Sequence, residues 1–162
     1  MFQTVLYLLS HRKYIATCSD DTMVLVLHRG VELAYVPLGE KEMNHESWDV
    51  FRTYRGHSAD VLHLEWSPDG TRLASCGVDN LVMVWQLSEA SGACRRLSHQ
   101  GHVKGLSWDP VGKYLAAQVE GHNKSLVVWR VRDWQVESGW APKRSGHMVL
   151  ARDRLFVDAP SA

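Results

Sequence analysis

The alternation of apolar and polar positions marks this chain as one built from short strands. The segment "DVLHLEWS", residues 60–67, alternates and stops at the turn signal Ser67-Pro68-Asp69-Gly70. "RLASCGV" follows at 72–78, then an Asp79-Asn80 turn, then "LVMVWQL" at 81–87. A weaker outer strand is predicted from Cys94 to Leu97. Strands this short, separated by Gly, Pro, Asp and Asn, read as a four-stranded antiparallel meander.

The meander recurs. "VLHLEWSPDGTRLAS" at 61–75 lines up with "VKGLSWDPVGKYLAA" at 103–117, with Trp66 on Trp108, Pro68 on Pro110, Gly70 on Gly112 and Leu73 on Leu115, each 42 residues on. "LASCGVDNLVMVW" at 73–85 also has an echo 58 residues earlier, "IATCSDDTMVLVL" at 15–27. The first copy continues through a long connection to an expected outer strand in "WDVFRTY" at 48–54, and the third ends with "SLVVWRV" and "DWQVE". No Gly-His precedes the first copy, so its opening strand is expected to be cut away, with residues 1–10 as a strand remnant. A period in the low forties with several strands per unit is the mark of a propeller blade.

The predicted fold is therefore all-β, a partial β-propeller of about three four-stranded antiparallel blades in an open arc. Residues 1–55 form an incomplete first blade with a long connection, 56–98 a complete blade and 99–138 a degraded one. Residues 139–162 form a divergent C-terminal tail, read as a truncated or misjoined terminus or as a divergent fourth blade. An open arc leaves one apolar face unpaired at each end.

Charge narrows the function. With 18 basic and 18 acidic side chains among 162 residues, the chain lacks the concentrated basic face of a protein held to DNA by counterion release. Arg95-Arg96 and Lys143-Arg144 read as solvated loop charges. The apolar start "MFQTVLYLLS" has neither a basic n-region nor a small-residue cleavage site. No stretch reaches the ~20 apolar residues of a membrane span. Three cysteines are too few, and odd in number, for a secreted disulfide scaffold, which points to a reducing compartment.

His57 lies nine residues before Trp66, and Asp79 lies six before Trp85. This spacing resembles the WD-repeat family, and the resemblance implies a buried hydrogen-bonded chain through His57, Ser75, Asp79 and Trp85. The residue types suit it: Trp can only donate, Ser both accepts and donates, and His can link to a carboxylate. The other copies are degraded. In the third, the nine-residue spacing to Trp108 selects His99 over His102; Ala117 replaces the Ser, and Asn123 stands six before Trp129. In the first, Thr17 and Asp21 match but Leu27 replaces the Trp.

Other chemistry is harder to place. Ser75, His57 and Asp79 are the residue types of a hydrolase triad, but a nucleophilic Ser needs an exposed hydroxyl and an oxyanion hole. Ser75 is mid-strand beside a Trp, so the reading is not an enzyme. Cys94, His99 and His102 offer three zinc-type ligands without a fourth, and repeat register already claims His99. Cys18 and Cys76 occupy equivalent strand positions and read as small buried hydrophobes. No Gly-rich phosphate loop is present, since "SPDG" and "DPVG" are hairpin turns, and no cofactor is predicted. Of seven Trp, those at 66, 85, 108 and 129 fall on repeat positions; Trp48, Trp134 and Trp140 are the candidates for an exposed contact.

"VKGLSWDPVGKYLAAQ" followed by "SLVVWRVRDWQVE" is similar to the HIRA family of histone chaperones. "NHESW" and "HSADVLHLEWSP" with "LASCGVDN" fit the preceding blade of that family. The resemblance covers about residues 14–138. It implies a nuclear WD-repeat scaffold that binds other subunits of a histone chaperone complex, and histones through that complex. It implies replication-independent chromatin assembly and transcriptional regulation, without sequence-specific nucleic acid contact or a membrane. The alternative is a generic WD-repeat adaptor: the small propeller subunit of chromatin assembly factor, a ubiquitin-ligase receptor or a signalling scaffold.

Overall fold

The computed structural model describes residues 5–8, 14–30, 47–88, 93–120 and 125–140. They form twelve strands in three four-stranded antiparallel sheets. The first sheet holds β1 (Val5–Leu8), β2 (Tyr14–Cys18), β3 (Met23–Arg29) and β4 (Trp48–Arg55). The second holds β5 (Val61–Trp66), β6 (Arg72–Gly77), β7 (Leu81–Gln86) and β8 (Ala93–Ser98). The third holds β9 (Val103–Trp108), β10 (Tyr114–Val119), β11 (Ser125–Arg130) and β12 (Gln135–Trp140). Each sheet is a simple meander in chain order. The result is the open arc of a partial β-propeller.

Two expectations need correction. The first sheet has an opening strand, because β1 pairs with β2 from Val5↔Cys18 to Leu8↔Ile15. The missing Gly-His concealed it: strand pairing needs only backbone groups and a compatible alternation, not that loop signature. The outer strand predicted at Cys94–Leu97 forms as β8, so Arg95 and Arg96, also read as loop charges, are strand residues. They sit within β8, paired with Val84 and Met83.

The turns follow from local chemistry. Gly70 (φ 68°) and Gly112 (φ 75°) occupy the left-handed region that costs glycine nothing. Each closes its turn by donating its N–H, Gly70 to the Ser67 carbonyl and Gly112 to that of Asp109, both at 2.8 Å. At the opposite end of the second sheet, Gly77 is required for space. A Cβ there would run into the Asp60 carbonyl.

Period two decides the packing, because adjacent residues of a strand face opposite ways. In the second sheet Leu73, Met83 and Trp85 join Val61 and Leu64 in one core. Across from them lie Ala16, Cys18, Val24, Val26 and Tyr54 of the first sheet. The alternate residues Ala74, Cys76, Val82, Val84 and Leu97 join a second core with Leu106, Trp108, Leu115, Ala117 and Val119 of the third sheet. The middle sheet is thus buried on both faces, which is why "RLASCGV" and "LVMVWQL" read as almost continuous apolar runs. Among the described side chains, the first sheet is fully buried on one face. Ile15, Thr17, Leu25 and Leu27 on its other face are partly exposed, and Val50 is 63% exposed.

Polar bonds supplement these cores between sheets. The Trp108 N–H donates to Glu65 Oε2 (3.0 Å) and its indole N–H to the Glu65 carbonyl (3.3 Å), tying β9 to β5. Tyr54 stacks on Trp85 with ring centroids 4.8 Å apart, and its hydroxyl donates to the Gln86 carbonyl at 3.2 Å.

Met83→Ala should lower stability by about 2–5 kcal/mol, because it opens a cavity between two sheets that cannot collapse freely. Val111→Ala, at a turn position 72% exposed, should shift it by no more than about 0.5 kcal/mol. Denaturant melts read both, and equal midpoints would contradict the two-sided burial of the middle sheet.

Candidate functional site

The side chains with the strongest chemical potential lie where the second sheet meets the turn before β7. Asp79 and Asn80 make that turn, with Asn80 at φ 63°. Asp79 Oδ1 accepts the Leu81 N–H at 3.2 Å, an Asx arrangement that starts β7 in register. Asp79 Oδ2 accepts the Ser58 N–H at 3.1 Å and lies 2.8 Å from His57 Nδ1. His57 Nε2 is 2.7 Å from Ser75 Oγ, and the Trp85 indole N–H donates to that same oxygen at 2.7 Å.

The ends of this chain set its direction. Trp85 can only donate and the Asp79 carboxylate can only accept. The Asp79 carboxylate therefore takes a proton from His57 Nδ1, and burial favours the neutral ring, whose bare Nε2 then accepts the Ser75 hydroxyl proton. The His57 side chain is 0% exposed and that of Asp79 2%. Burial lowers the His57 pKa and outweighs the opposing pull of the Asp79 charge; the Arg96 cation adds slightly to the lowering. Burial favours neutral histidine, and the hydrogen-bond partners accommodate it.

The residue types of a hydrolytic triad therefore meet, but in an arrangement that ties up the hydroxyl. Ser75 is fully buried, its oxygen receives Trp85 and its proton is directed at His57. A nucleophile needs that oxygen open to substrate.

The third sheet holds a shortened version. Ala117 has no hydroxyl, so the Trp129 indole N–H donates directly to His99 Nε2 at 3.2 Å, with the rings edge to face at 5.7 Å. His99 Nδ1 is buried without a partner, and burial lowers the His99 pKa. Asn123 lies outside the described residues. His102 has a different task, its Nδ1 lying 2.6 Å from the Val78 carbonyl. In the first sheet Asp21 Oδ1 accepts the Met23 N–H at 3.0 Å and Thr22 sits at φ 66°, the same turn as at Asp79-Asn80. Thr17 and Leu27 lie on the partly exposed face of that sheet, where Leu27 has no donor to offer. Among the described residues no three of the His, Cys, Asp and Glu side chains converge as a metal site. The side chain of Cys94 lies outside them.

Three contacts had no sequence signal: Tyr54 stacked on Trp85, the Ser58 N–H on Asp79, and Glu65 gripping Trp108. Each joins residues whose proximity arises only when the strands and sheets pack. Trp134, a candidate for an exposed contact, instead packs edge to face on Trp108 at 6.4 Å. Trp48 is partly exposed, and the side chain of Trp140 lies outside the described residues.

Comparison with known proteins agrees with this geometry. The WD domain, G-beta repeat family matches residues 48–86 and 93–130. Each match begins on the outermost strand of one sheet, β4 or β8, and continues through three strands of the next. Protein HIR1 of Cryptococcus neoformans is 37% identical over 126 residues, 78% of this chain and 14% of the relative. The chain belongs to the HIRA family of WD-repeat proteins. Protein hir1 of Schizosaccharomyces pombe is 35% identical over 127 residues, 77% of this chain and 13% of the relative. A chromatin assembly factor 1 subunit of Gallus gallus is 35% identical over 153 residues, 87% of this chain and 27% of the relative. This HIRA-family chain thus spans about one-seventh of the HIR1 proteins it matches.

Asp79→Ala should cost about 2–4 kcal/mol, since it strands a buried histidine and two backbone donors at once. Asp21→Ala, which loses one exposed turn bond, should cost under about 1 kcal/mol. Equal losses in denaturant melts would contradict the difference between a complete network and an isolated turn.

His57, His63 and His99 all have pKa values lowered from 6.5 by burial. The unfolded chain then binds more protons than the folded one just below that value, so stability is fully present above pH 6.5 and is lost as pH falls beneath it. Each histidine can contribute up to about 1.4 kcal/mol per pH unit in that window. Denaturation midpoints at pH 7.5 and 5.5 should differ in that direction; a flat profile would contradict the neutral network.

Proposed function

We propose that this chain is a WD-repeat scaffold of a HIRA-like histone chaperone complex. In this reading it acts in the nucleus, in replication-independent chromatin assembly and transcriptional regulation, by binding other subunits and, through them, histones. It is not an enzyme, it needs no cofactor, and it makes no sequence-specific nucleic acid contact. The observation that carries the reading is the combination of a family match across both repeats with a Ser-His-Asp set consumed internally. The polar residues most suggestive of catalysis bind one another, which favours a rigid docking platform.

The structural roles follow the same reading. His57, Ser75, Asp79 and Trp85 lock the middle blade, proposed to span residues 56–98. Thr17 and Asp21 in a blade within 1–55, and His99, Asn123 and Trp129 in a blade within 99–138, are its reduced counterparts. Residues 139–162 are proposed as a divergent tail. A second reading, a chromatin assembly factor small propeller subunit, is supported by the chicken relative, which aligns with more of this chain at similar identity.

Tagged chain expressed in cells should concentrate in the nucleus and co-purify with core histones and with other chaperone subunits. Recovery with ubiquitin-ligase components instead, or a cytoplasmic distribution, would favour a generic adaptor. A fluorophosphonate probe should leave Ser75 of the folded chain unlabelled. Stoichiometric labelling at that residue would overturn the scaffold reading.

A further inference from the structure

β8 is the last strand of the second sheet. Among the described residues only β7 pairs with it, so one row of its backbone donors and acceptors faces outward. Such an edge is a template for another strand unless something guards it. Leu97 is buried, while Arg95 and Arg96 are exposed.

Register places the two arginines on opposite sides of that edge. Arg95 pairs with Val84, whose side chain enters the core shared with the third sheet. Arg96 pairs with Met83, whose side chain enters the core shared with the first. The cations therefore bracket the free edge, one above it and one below.

Neither takes part in an ion pair among the described residues. The turn and strand at the rim of the third sheet contrast with this. There Arg130 bridges to Asp133 and to Glu137, both at 2.9 Å. Positive charge on both faces repels a second cationic edge of the same kind, which disfavours pairing with another copy of β8. It leaves the edge selective for a strand of the opposite sign.

We propose that the free edge of β8 docks an acidic, extended peptide segment of a partner protein, which adds to the second sheet as a fifth strand. Backbone hydrogen bonds to β8 supply the pairing. Successive carboxylates of the incoming strand, alternating in direction as strand side chains must, meet Arg95 on one face and Arg96 on the other. A nucleic acid backbone suits the site less well, since a row of phosphates tracks charges gathered on one face. The proposal does not depend on the chromatin reading, and either can fail alone.

The probe is a short fluorescein-labelled peptide in which paired glutamates alternate with valine and threonine, titrated into the full chain and followed by anisotropy. Binding should weaken with added salt and should protect the amides of 93–98 from hydrogen exchange. Arg95→Glu and Arg96→Glu should each weaken it about tenfold. Arg95→Lys and Arg96→Lys should retain most of it, and Lys113→Glu, on the distant exposed turn, should leave it unchanged. Near-ultraviolet circular dichroism of each variant checks the fold, and the lysine variants test the site if charge reversal unfolds the chain. A peptide of equal charge with alternate residues replaced by proline should not bind, because it cannot donate to the edge. Absence of binding, equal binding of the proline peptide, or equal loss with Lys113→Glu would overturn the proposal. Single-stranded DNA competing through the same two arginines as strongly as the peptide would also overturn it, in favour of nucleic acid.

Discussion

A tryptophan indole N–H buried with no access to water has to donate to something, and Trp85 donates to Ser75. The rest of the middle sheet is arranged around that requirement. Ser75 sends its proton to His57, His57 sends its own to Asp79, and Asp79 gathers the Ser58 and Leu81 N–H groups. The chain of bonds runs from a core strand to the segment before β5 and to the turn before β7. Opening it at any point leaves a buried polar group unpaired, a cost larger than the gain from any one of its bonds. A network of this kind is complete or it is a liability, and only the middle sheet carries it complete among the described residues.

The neighbouring sheets show what happens when a member is lost. With no hydroxyl at Ala117, Trp129 reaches His99 directly and His99 keeps one nitrogen buried without a partner. With Leu27 in place of the Trp, the first sheet needs no relay and retains the Asp21 turn. Both depend on the middle sheet for burial: each of the two cores draws about half its residues from it. The WD repeat reinforces the dependence by running across sheet boundaries. A repeat that starts on the outermost strand of one sheet and ends within the next ties the two covalently as well as by packing.

The proposed scaffold role is supported by where polar chemistry lies. His57, Ser75 and Asp79 bond to one another and to Trp85 within the second sheet. Arg95 and Arg96, without ion-pair partners among the described residues, lie on a strand edge. In a chain of zero net charge, a local surplus at Arg95 and Arg96 has meaning only through position, and the position is one at which another strand can pair.

Much of this architecture was legible along the chain. The turns at Ser67-Pro68-Asp69-Gly70 and Asp79-Asn80, the apolar runs between them and the repeat of Trp66 at Trp108 are local signals, because turn geometry and side-chain alternation are properties of a few adjacent residues. The grouping of His57 with Asp79, Ser75 and Trp85 came from the resemblance to the WD-repeat family, to which their spacing pointed. β1 was legible only as a strand remnant within residues 1–10; its place as the opening strand of the first sheet was not, because a four-residue strand without its loop signature is defined by its partner alone. Nor were the faces of Arg95 and Arg96, which lay in a predicted strand yet also read as loop charges, and which acquired opposite sides only through pairing with Val84 and Met83. Tyr54 on Trp85 and Glu65 on Trp108 belong to the same class. Sequence determined most of the strands and their turns. Tertiary structure decided which faces meet, because a sheet's alternate side chains acquire neighbours only when a second sheet is laid against them.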